Sequence, residues 1–102
     1  MPKISIITIC YNEDRVEDTC KSVVAQTFND YEWIFIDGGS NEKYLEILDK
    51  YKSYMSVFIS EKDSGIYNAM NKGLSFATGE FIVFMNAGDC FYEETVLEKV
   101  SK

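Results

Sequence analysis

The stretch ISIITICYNEDRVEDTCKSVVAQT, residues 4 to 27, changes its hydrophobic periodicity once, and this change decides the fold class. Its first part is β-branched and mostly apolar, which is typical of a strand buried in a sheet. Later in the stretch the apolar side chains recur at helical spacing, at Val16, Cys20 and Val23. Asn12 is the predicted N-cap of this helix. A strand followed by an amphipathic helix is therefore expected.

The same alternation of strand and helix continues to the end of the chain. Strand patterns recur at residues 31–36, 56–60 and 81–85, and helix patterns at residues 42–54, 65–77 and 93–100. Gly79 is the predicted C-cap of the third helix. Residues 81–85 are apolar throughout, which favours a central strand buried on both faces. Strands that alternate with helices imply right-handed crossovers, so residues 1–102 are expected to form one α/β domain around an open, doubly wound, mostly parallel sheet.

Composition excludes several classes of function. The 102 residues carry a net charge of −7 and contain no histidine, which removes Ser-His and Cys-His nucleophilic pairs. Lysine and arginine are scattered, so no nucleic-acid partner is expected. Three cysteines without CxxC spacing predict free thiols and a cytoplasmic location. No apolar run reaches the roughly 20 residues of a membrane span, so no transmembrane segment is expected.

The segments that follow the predicted strands define the expected ligand site. In doubly wound sheets, ligands bind beyond the carboxyl ends of the strands. Neither a GxGxxG dinucleotide motif nor a P-loop is present, so any phosphate in this acidic protein needs another counter-charge. The segments are rich in polar residues and glycine: Cys10-Tyr11-Asn12, Asp37-Gly38-Gly39-Ser40, Ser60-Glu61-Lys62-Asp63 and Asn86-Ala87-Gly88-Asp89.

Three segments together resemble the signature segments of the family 2 glycosyltransferases: ISIITICYNE, SVVAQTFNDYEWIFIDGGS and SEKDSGIYNAMNKGLSFATGEFIVFMNAGD. The resemblance implies the Rossmann-like GT-A fold, of which this chain would be the N-terminal, nucleotide-sugar-binding half. It further implies transfer of a sugar from a nucleotide diphosphate sugar to an acceptor hydroxyl, with inversion, in polysaccharide or glycan biosynthesis. The implied acceptor is a glycan or a lipid-linked molecule.

The same resemblance implies roles for individual residues in binding the nucleotide. Tyr11 matches the aromatic residue that packs against the base, with Thr8 and Asn12 in its surroundings. Asp37 matches the first acid of the pair after the second strand, while Gly38 stands in place of the second acid. The acid before the third helix matches Asp63, which completes this part of the nucleotide site.

The segment Asn86-Ala87-Gly88-Asp89 is similar to the family's metal motif, although two of the three acids are replaced. Asp89 is then the residue that contacts Mn²⁺ or Mg²⁺, and Asn86 belongs to the nucleotide site. The family's base and acceptor-binding segments follow this motif, so the catalytic base is expected beyond Lys102 and the isolated chain is expected to be inactive. The protein is expected in the cytoplasm or peripherally at the inner face of the membrane, and its apolar edge is expected to self-associate.

Each assignment has a structural alternative that the sequence leaves open. Tyr11 is alternatively a half-buried loop aromatic, and Asp37 an Asx turn. Asp63 and Asp89 are alternatively helix caps, and Asn86 an amide that satisfies loop backbone groups. Two other classes also remain: a non-catalytic, doubly wound, Mg²⁺-binding regulatory or docking domain, and a nucleotidyltransferase. The regulatory or docking domain requires an acidic pair after the first strand, and the nucleotidyltransferase requires a Gly- and Arg-rich loop there. Neither feature is present.

Overall fold

A computed structural model describes residues 2–62 and 65–101 of the chain. Strands and helices alternate along it. The strands are β1 (Ile4–Cys10), β2 (Tyr31–Asp37), β3 (Val57–Ser60) and β4 (Phe81–Phe84), and the helices are α1 (Val16–Val24), α2 (Glu42–Asp49), α3 (Ile66–Leu74) and α4 (Val96–Val100), with a 3₁₀ turn at Lys52–Tyr54. Within the described part of the chain, no helix is long and apolar enough to cross a bilayer.

The strands form one sheet in the order β3-β2-β1-β4, and every pair of neighbours is parallel. Parallel neighbours need crossover connections, which the intervening helices supply. Ile4 pairs with Tyr31 on one side and with Phe81 on the other, so β1 is central. The predicted open, doubly wound parallel sheet is confirmed.

Helices cover both faces of the sheet because side chains of a strand alternate between the faces. On one face, Ile6 and Trp33 pack against α1 and α2 in the larger core cluster. On the other face, Ile7 and Ile36 pack against Ala69 of α3. All these side chains except Ala69 are fully buried, and Ala69 is nearly so. The sheet edge where the strands end is left open by this arrangement.

Two predicted helix caps and one predicted strand environment are wrong. Asn12 is not the N-cap of α1, which begins at Val16 after Arg15. Gly79 is not the C-cap of α3, whose C-cap is Ser75. A Cβ at Gly79 would lie 2.7 Å from the backbone nitrogen of Ser5, so this glycine allows a close approach to β1 instead.

The strand expected to be buried on both faces is an edge strand among the described residues. β4 pairs with β1 alone, and Phe81, Ile82 and Phe84 are between 40 and 46% exposed. An apolar run does not show how many neighbours its strand has, because hydrophobicity reports the environment that a segment suits and not the environment that is present.

Candidate functional site

A cleft of about 480 Å³ opens where the carboxyl ends of the strands meet the start of α3. This is the edge at which doubly wound sheets bind ligands. All four strand-end segments contribute to it, as the sequence predicts. Its walls are formed by Ile9, Cys10, Tyr11, Glu13, Gly38, Lys62, Gly65, Ile66, Ala69, Asn86 and Ala87.

Asp37 ends β2 next to Gly38, which lines this cleft, and the Asp37 side chain is fully buried. Its Oδ2 accepts hydrogen bonds from the backbone of Gly39 and Ser40 (3.1 and 2.8 Å) and from the Ser60 hydroxyl (2.8 Å). Its Oδ1 accepts a hydrogen bond from Ser40 Oγ at 2.5 Å. These bonds form the Asx turn that the sequence left open, and they join the loops after β2 and β3. Contact between Asp37 and a nucleotide stays a prediction, and Gly38 lines the cleft in its place.

Asn12 connects the loops after β1 and β2. Its backbone N–H donates to Ser40 Oγ at 2.8 Å, and its Oδ1 accepts from the backbone of Asn41 at 2.8 Å. Its φ of 48° lies in the left-handed region, which asparagine tolerates better than most residues. This turn explains why Asn12 does not cap α1. Asn12 shapes the rim beside Tyr11, and its own contact with a nucleotide stays a prediction.

Tyr11 and Thr8 are close in sequence but have opposite environments. Tyr11 lines the cleft with 65% of its surface exposed, so its ring is available to a ligand. Thr8 is fully buried, and its Oγ1 accepts a hydrogen bond from the Trp33 indole at 3.0 Å. Thr8 therefore packs in the core with Trp33, and its place beside a nucleotide stays a prediction. The alternation of side chains along β1 turns Thr8 to the face that carries Trp33.

The turn from Asn86 to Asp89 closes the far side of the site. The Asp89 backbone N–H donates to the Asn86 carbonyl at 3.0 Å, and Gly88 has a φ of 99° that side-chain-bearing residues rarely adopt. Gly88 N–H donates to the buried Thr19 hydroxyl of α1 at 2.8 Å. Ala87 N–H donates to the Ile9 carbonyl at 2.9 Å. The turn is thus held by both α1 and the end of β1.

Asp89 is exposed and does not cap a helix, because α4 begins at Val96 after Thr95. Asn86 lines the cleft, and its buried Oδ1 has no hydrogen-bond partner among the described residues. A buried acceptor without a donor costs about 1–3 kcal/mol. Amide and carboxylate oxygens suit Mg²⁺ or Mn²⁺, so these two residues fit a cation that takes its remaining ligands from phosphate and water. Residues 2–62 and 65–101 contain no cluster of three His, Cys, Asp or Glu ligands.

Two charged residues of the cleft escaped the sequence-based assignment. The sequence assigns no role to Glu13 or Lys62, yet both line the cleft. The available signal was their position in or next to the segments that follow the predicted strands. The predicted nucleotide residue Asp63 lies outside the described residues.

The buried cysteines are packing residues. Burial is the main cause that raises the pKa of the Cys10 thiol to about 11 and that of Cys20 to about 12. Both thiols are therefore protonated at neutral pH and poor nucleophiles. Cys90 is exposed, and all three cysteines are free.

Comparison with known proteins identifies one family. The family model for glycosyl transferase family 2 matches residues 5–102. A PGL/p-HBAD biosynthesis glycosyltransferase of Mycobacterium bovis is 34% identical over 104 residues, which cover 98% of this chain and 41% of that protein. The cholesterol galactosyltransferase of Borreliella burgdorferi is 39% identical over 100 residues, which cover 94% of this chain and 27% of that protein. The chain thus spans less than half the length of these relatives.

Solved structures show the same architecture. S. aureus TarS in complex with UDP superposes with a TM-score of 0.83 at 26% identity, over 97% of this chain and 31% of that one. The mannosyltransferase PcManGT of Pyrobaculum calidifontis, in complex with GDP-Man and Mn²⁺, gives a TM-score of 0.82 at 19% identity, over 98% of this chain and 30% of that one. The expected GT-A fold is confirmed.

Proposed function

Because the chain belongs to glycosyl transferase family 2, we propose that its cleft binds a nucleotide diphosphate sugar for transfer to an acceptor hydroxyl. Residues 1–102 form the donor-binding part of the enzyme in this proposal. The observation that carries it is the cleft at the strand ends, which is lined by the exposed Tyr11 and by Gly38. An exposed aromatic ring can stack on any of the nucleobases, because each has a π-face. A glycine lets the ligand approach the backbone closely.

The net charge of −7 of the protein opposes binding of the negatively charged phosphates of the donor. Lys62 lines the cleft and supplies one positive charge. Gly65 and Ile66 bring the start of α3 to the same cleft, and the first turn of α3 contains no acidic residue. Backbone N–H groups at a helix start favour anions. These groups offset part of the repulsion that the phosphates would experience.

Asp89 and Asn86 would hold a divalent cation, Mn²⁺ or Mg²⁺, which would supply positive charge to the leaving diphosphate. The reaction is an inverting displacement in which a carboxylate base removes the proton of the acceptor hydroxyl. We assign no base to the described residues. The acceptor is a glycan or a lipid, and the name of the Borreliella relative supports a lipid as one candidate.

Calorimetric titration tests donor binding directly. UDP and GDP, each with Mn²⁺, are titrated into the wild-type chain and into Tyr11→Ala, with Tyr92→Ala as the control because Tyr92 is also highly exposed but does not line the cleft. Loss of one stacked base costs about 1–3 kcal/mol, so Tyr11→Ala should bind at least fivefold more weakly. Tyr92→Ala should bind like the wild type. Failure of the wild type to bind either nucleotide would contradict the proposal.

A further inference from the structure

The segment that follows β4 leaves the sheet at the cleft and forms neither helix nor strand before α4. Asn86 and Ala87, at its start, line the cleft. The Ala87 N–H still donates to the Ile9 carbonyl of β1 at 2.9 Å. Backbone groups beyond this point need other partners, because a buried N–H without an acceptor is costly. The source of those partners determines where this wall of the cleft lies.

A row of polar side chains on α1 supplies the first of these partners. Thr19, Ser22 and Gln26 follow the i, i+3, i+7 spacing of one helix face, and the row continues just past the end of α1. The N–H of Gly88 donates to Thr19 Oγ1 at 2.8 Å. The N–H of Phe91 donates to Ser22 Oγ at 3.2 Å. The chain therefore exchanges the support of β1 for that of α1 at Gly88.

The far end of the row binds the rest of the segment. The Gln26 side-chain amide donates to the Glu93 carbonyl at 2.9 Å and accepts from the Leu97 N–H at 3.0 Å. The N–H and the hydroxyl of Thr27 both donate to the Glu94 carbonyl, at 2.8 and 3.3 Å. The segment thus runs along the row in the same direction as α1.

The two bonds nearest the cleft hold the chain on either side of Asp89. Thr19 is fully buried, so its hydroxyl has a fixed place in the core. The Ser22 hydroxyl donates to the Thr19 carbonyl at 2.8 Å, which leaves its lone pairs for the N–H of Phe91. Gly88 has the positive φ of 99° that this turn requires. Two connected hydroxyls therefore set the path of the turn.

We propose that Thr19 and Ser22 are positioning residues for the diphosphate of the donor. The inference rests on the proposed function, which assigns the turn of Asn86 and Asp89 to the diphosphate and Tyr11 to the nucleobase. Neither hydroxyl residue lines the cleft, so both act through the backbone of the turn. Loss of the hydroxyls should therefore weaken binding of a nucleoside diphosphate and leave binding of the nucleoside unchanged.

Amide hydrogen exchange followed by NMR tests the hold on the turn without any ligand. Thr19→Val keeps the shape of the side chain but removes the acceptor, whereas Thr19→Ser keeps the acceptor. Loss of one hydrogen bond should speed exchange of the Gly88 N–H roughly tenfold in Thr19→Val. Thr19→Ser should restore the slow exchange. Unchanged exchange at Gly88 in Thr19→Val would overturn the inference.

Thr27→Val is the matched control, because it removes a threonine hydroxyl at the far end of the row. NMR titrations with Mg²⁺ compare UDP with uridine and GDP with guanosine. We expect Thr19→Val to bind the diphosphate at least threefold more weakly and the nucleoside within twofold of the wild type. Thr19→Ser and Thr27→Val should bind both ligands like the wild type. A merely structural role would not produce this selective loss.

The remaining outcomes separate this inference from the proposed function. Equal diphosphate affinity of Thr19→Val and the wild type would overturn the positioning role and leave donor binding intact, and so would equal losses for diphosphate and nucleoside. If Thr19→Val does not fold, Ser22→Ala decides by the same titrations, with exchange measured at Phe91, because alanine at this half-buried helix position favours folding. A wild type that binds neither UDP nor GDP would overturn the proposed function and this inference with it.

Discussion

At the residue scale, Lys62 contributes a positive charge to a cleft in a strongly acidic protein. Lys62→Gln should weaken binding of UDP by about three- to tenfold, because a charge-assisted contact with phosphate is worth roughly 1 kcal/mol at a partly exposed site. The loss should be absent for uridine, which has no phosphate. Calorimetry in low salt gives the affinities, and the difference between the variants should shrink at high salt.

Lys21→Gln is the matched control for this prediction. Lys21 is exposed on α1 and does not line the cleft, yet its replacement changes the net charge by the same amount. UDP should bind to Lys21→Gln within twofold of the wild-type affinity. Equal losses in both variants would mean that general repulsion, and not a contact from Lys62, limits binding.

Polar residues near strand ends differ in role because successive side chains of a strand point to opposite faces of the sheet. Thr8 resembles a site residue in the sequence, but alternation along β1 buries its hydroxyl against Trp33. Asp37 ends β2, and both oxygens of its carboxylate accept hydrogen bonds from neighbouring segments. Burial of this carboxylate without those donors would be costly, so the hydrogen bonds account for its position in the fold.

At the element scale, Glu32 of β2 forms a hydrogen-bonded latch that holds the segment preceding β4 against the sheet. Its Oε2 accepts hydrogen bonds from Ser5 Oγ (2.6 Å) and from the backbone N–H and hydroxyl of Thr78 (2.6 and 3.0 Å). Gly79 N–H donates to Ser5 Oγ at 2.8 Å. Burial raises the pKa of the Glu32 carboxyl, but the hydrogen bonds outweigh it and the pKa is lowered below its usual value of 4.5.

The latch predicts a dependence of stability on pH. A carboxyl group with a lowered pKa in the folded state stabilises fully above its unfolded pKa, and this contribution is lost as the pH falls through the folded pKa. Glu32→Gln should therefore reduce the free energy of unfolding by about 1 kcal/mol at neutral pH, and by progressively less below about pH 4.5. Urea unfolding across this range measures the difference.

The exposed Glu46 gives the reference for the latch prediction. Glu46→Gln should change the free energy of unfolding by less than about 0.5 kcal/mol, as is usual for a surface substitution. A difference between Glu32→Gln and the wild type that stays constant down to acid pH would show that ionisation of Glu32 does not contribute to the latch.

At the scale of the whole molecule, β4 leaves an apolar sheet edge uncovered by the described residues. Phe81, Ile82 and Phe84 are each at least 40% exposed, and an unpaired apolar edge promotes association. We predict that the chain self-associates, which sedimentation velocity would detect as a sedimentation coefficient that rises with concentration. Ile82→Lys should suppress this rise, because a charge on an edge strand opposes pairing.

Tyr92→Lys introduces the same residue at another exposed position and should leave self-association unchanged. A wild-type chain that sediments as a monomer at every concentration would contradict the prediction. Association that persists equally in Ile82→Lys would place the contact on another surface.

The sequence by itself determined the order and type of the elements, the parallel sheet and the sheet edge at which the cleft lies. These properties follow from local periodicity and from the handedness of crossovers, both of which a sequence contains. It also identified the segments after the strands as the candidate site. Its assignment of Tyr11 to the nucleobase stays a prediction, for which the exposed ring in the cleft is a necessary condition.

Only the tertiary structure decided which polar residues of those segments line the cleft. In the folded chain the Thr8 hydroxyl is buried against Trp33, and Asp37 and Asn12 form hydrogen bonds with neighbouring loops. Glu13 lies against Gly88. These outcomes depend on contacts between residues far apart in the chain, such as Gly88 with Thr19. Local patterns cannot encode them, because the same polar side chain either binds a ligand or satisfies a loop according to which donors the fold places beside it.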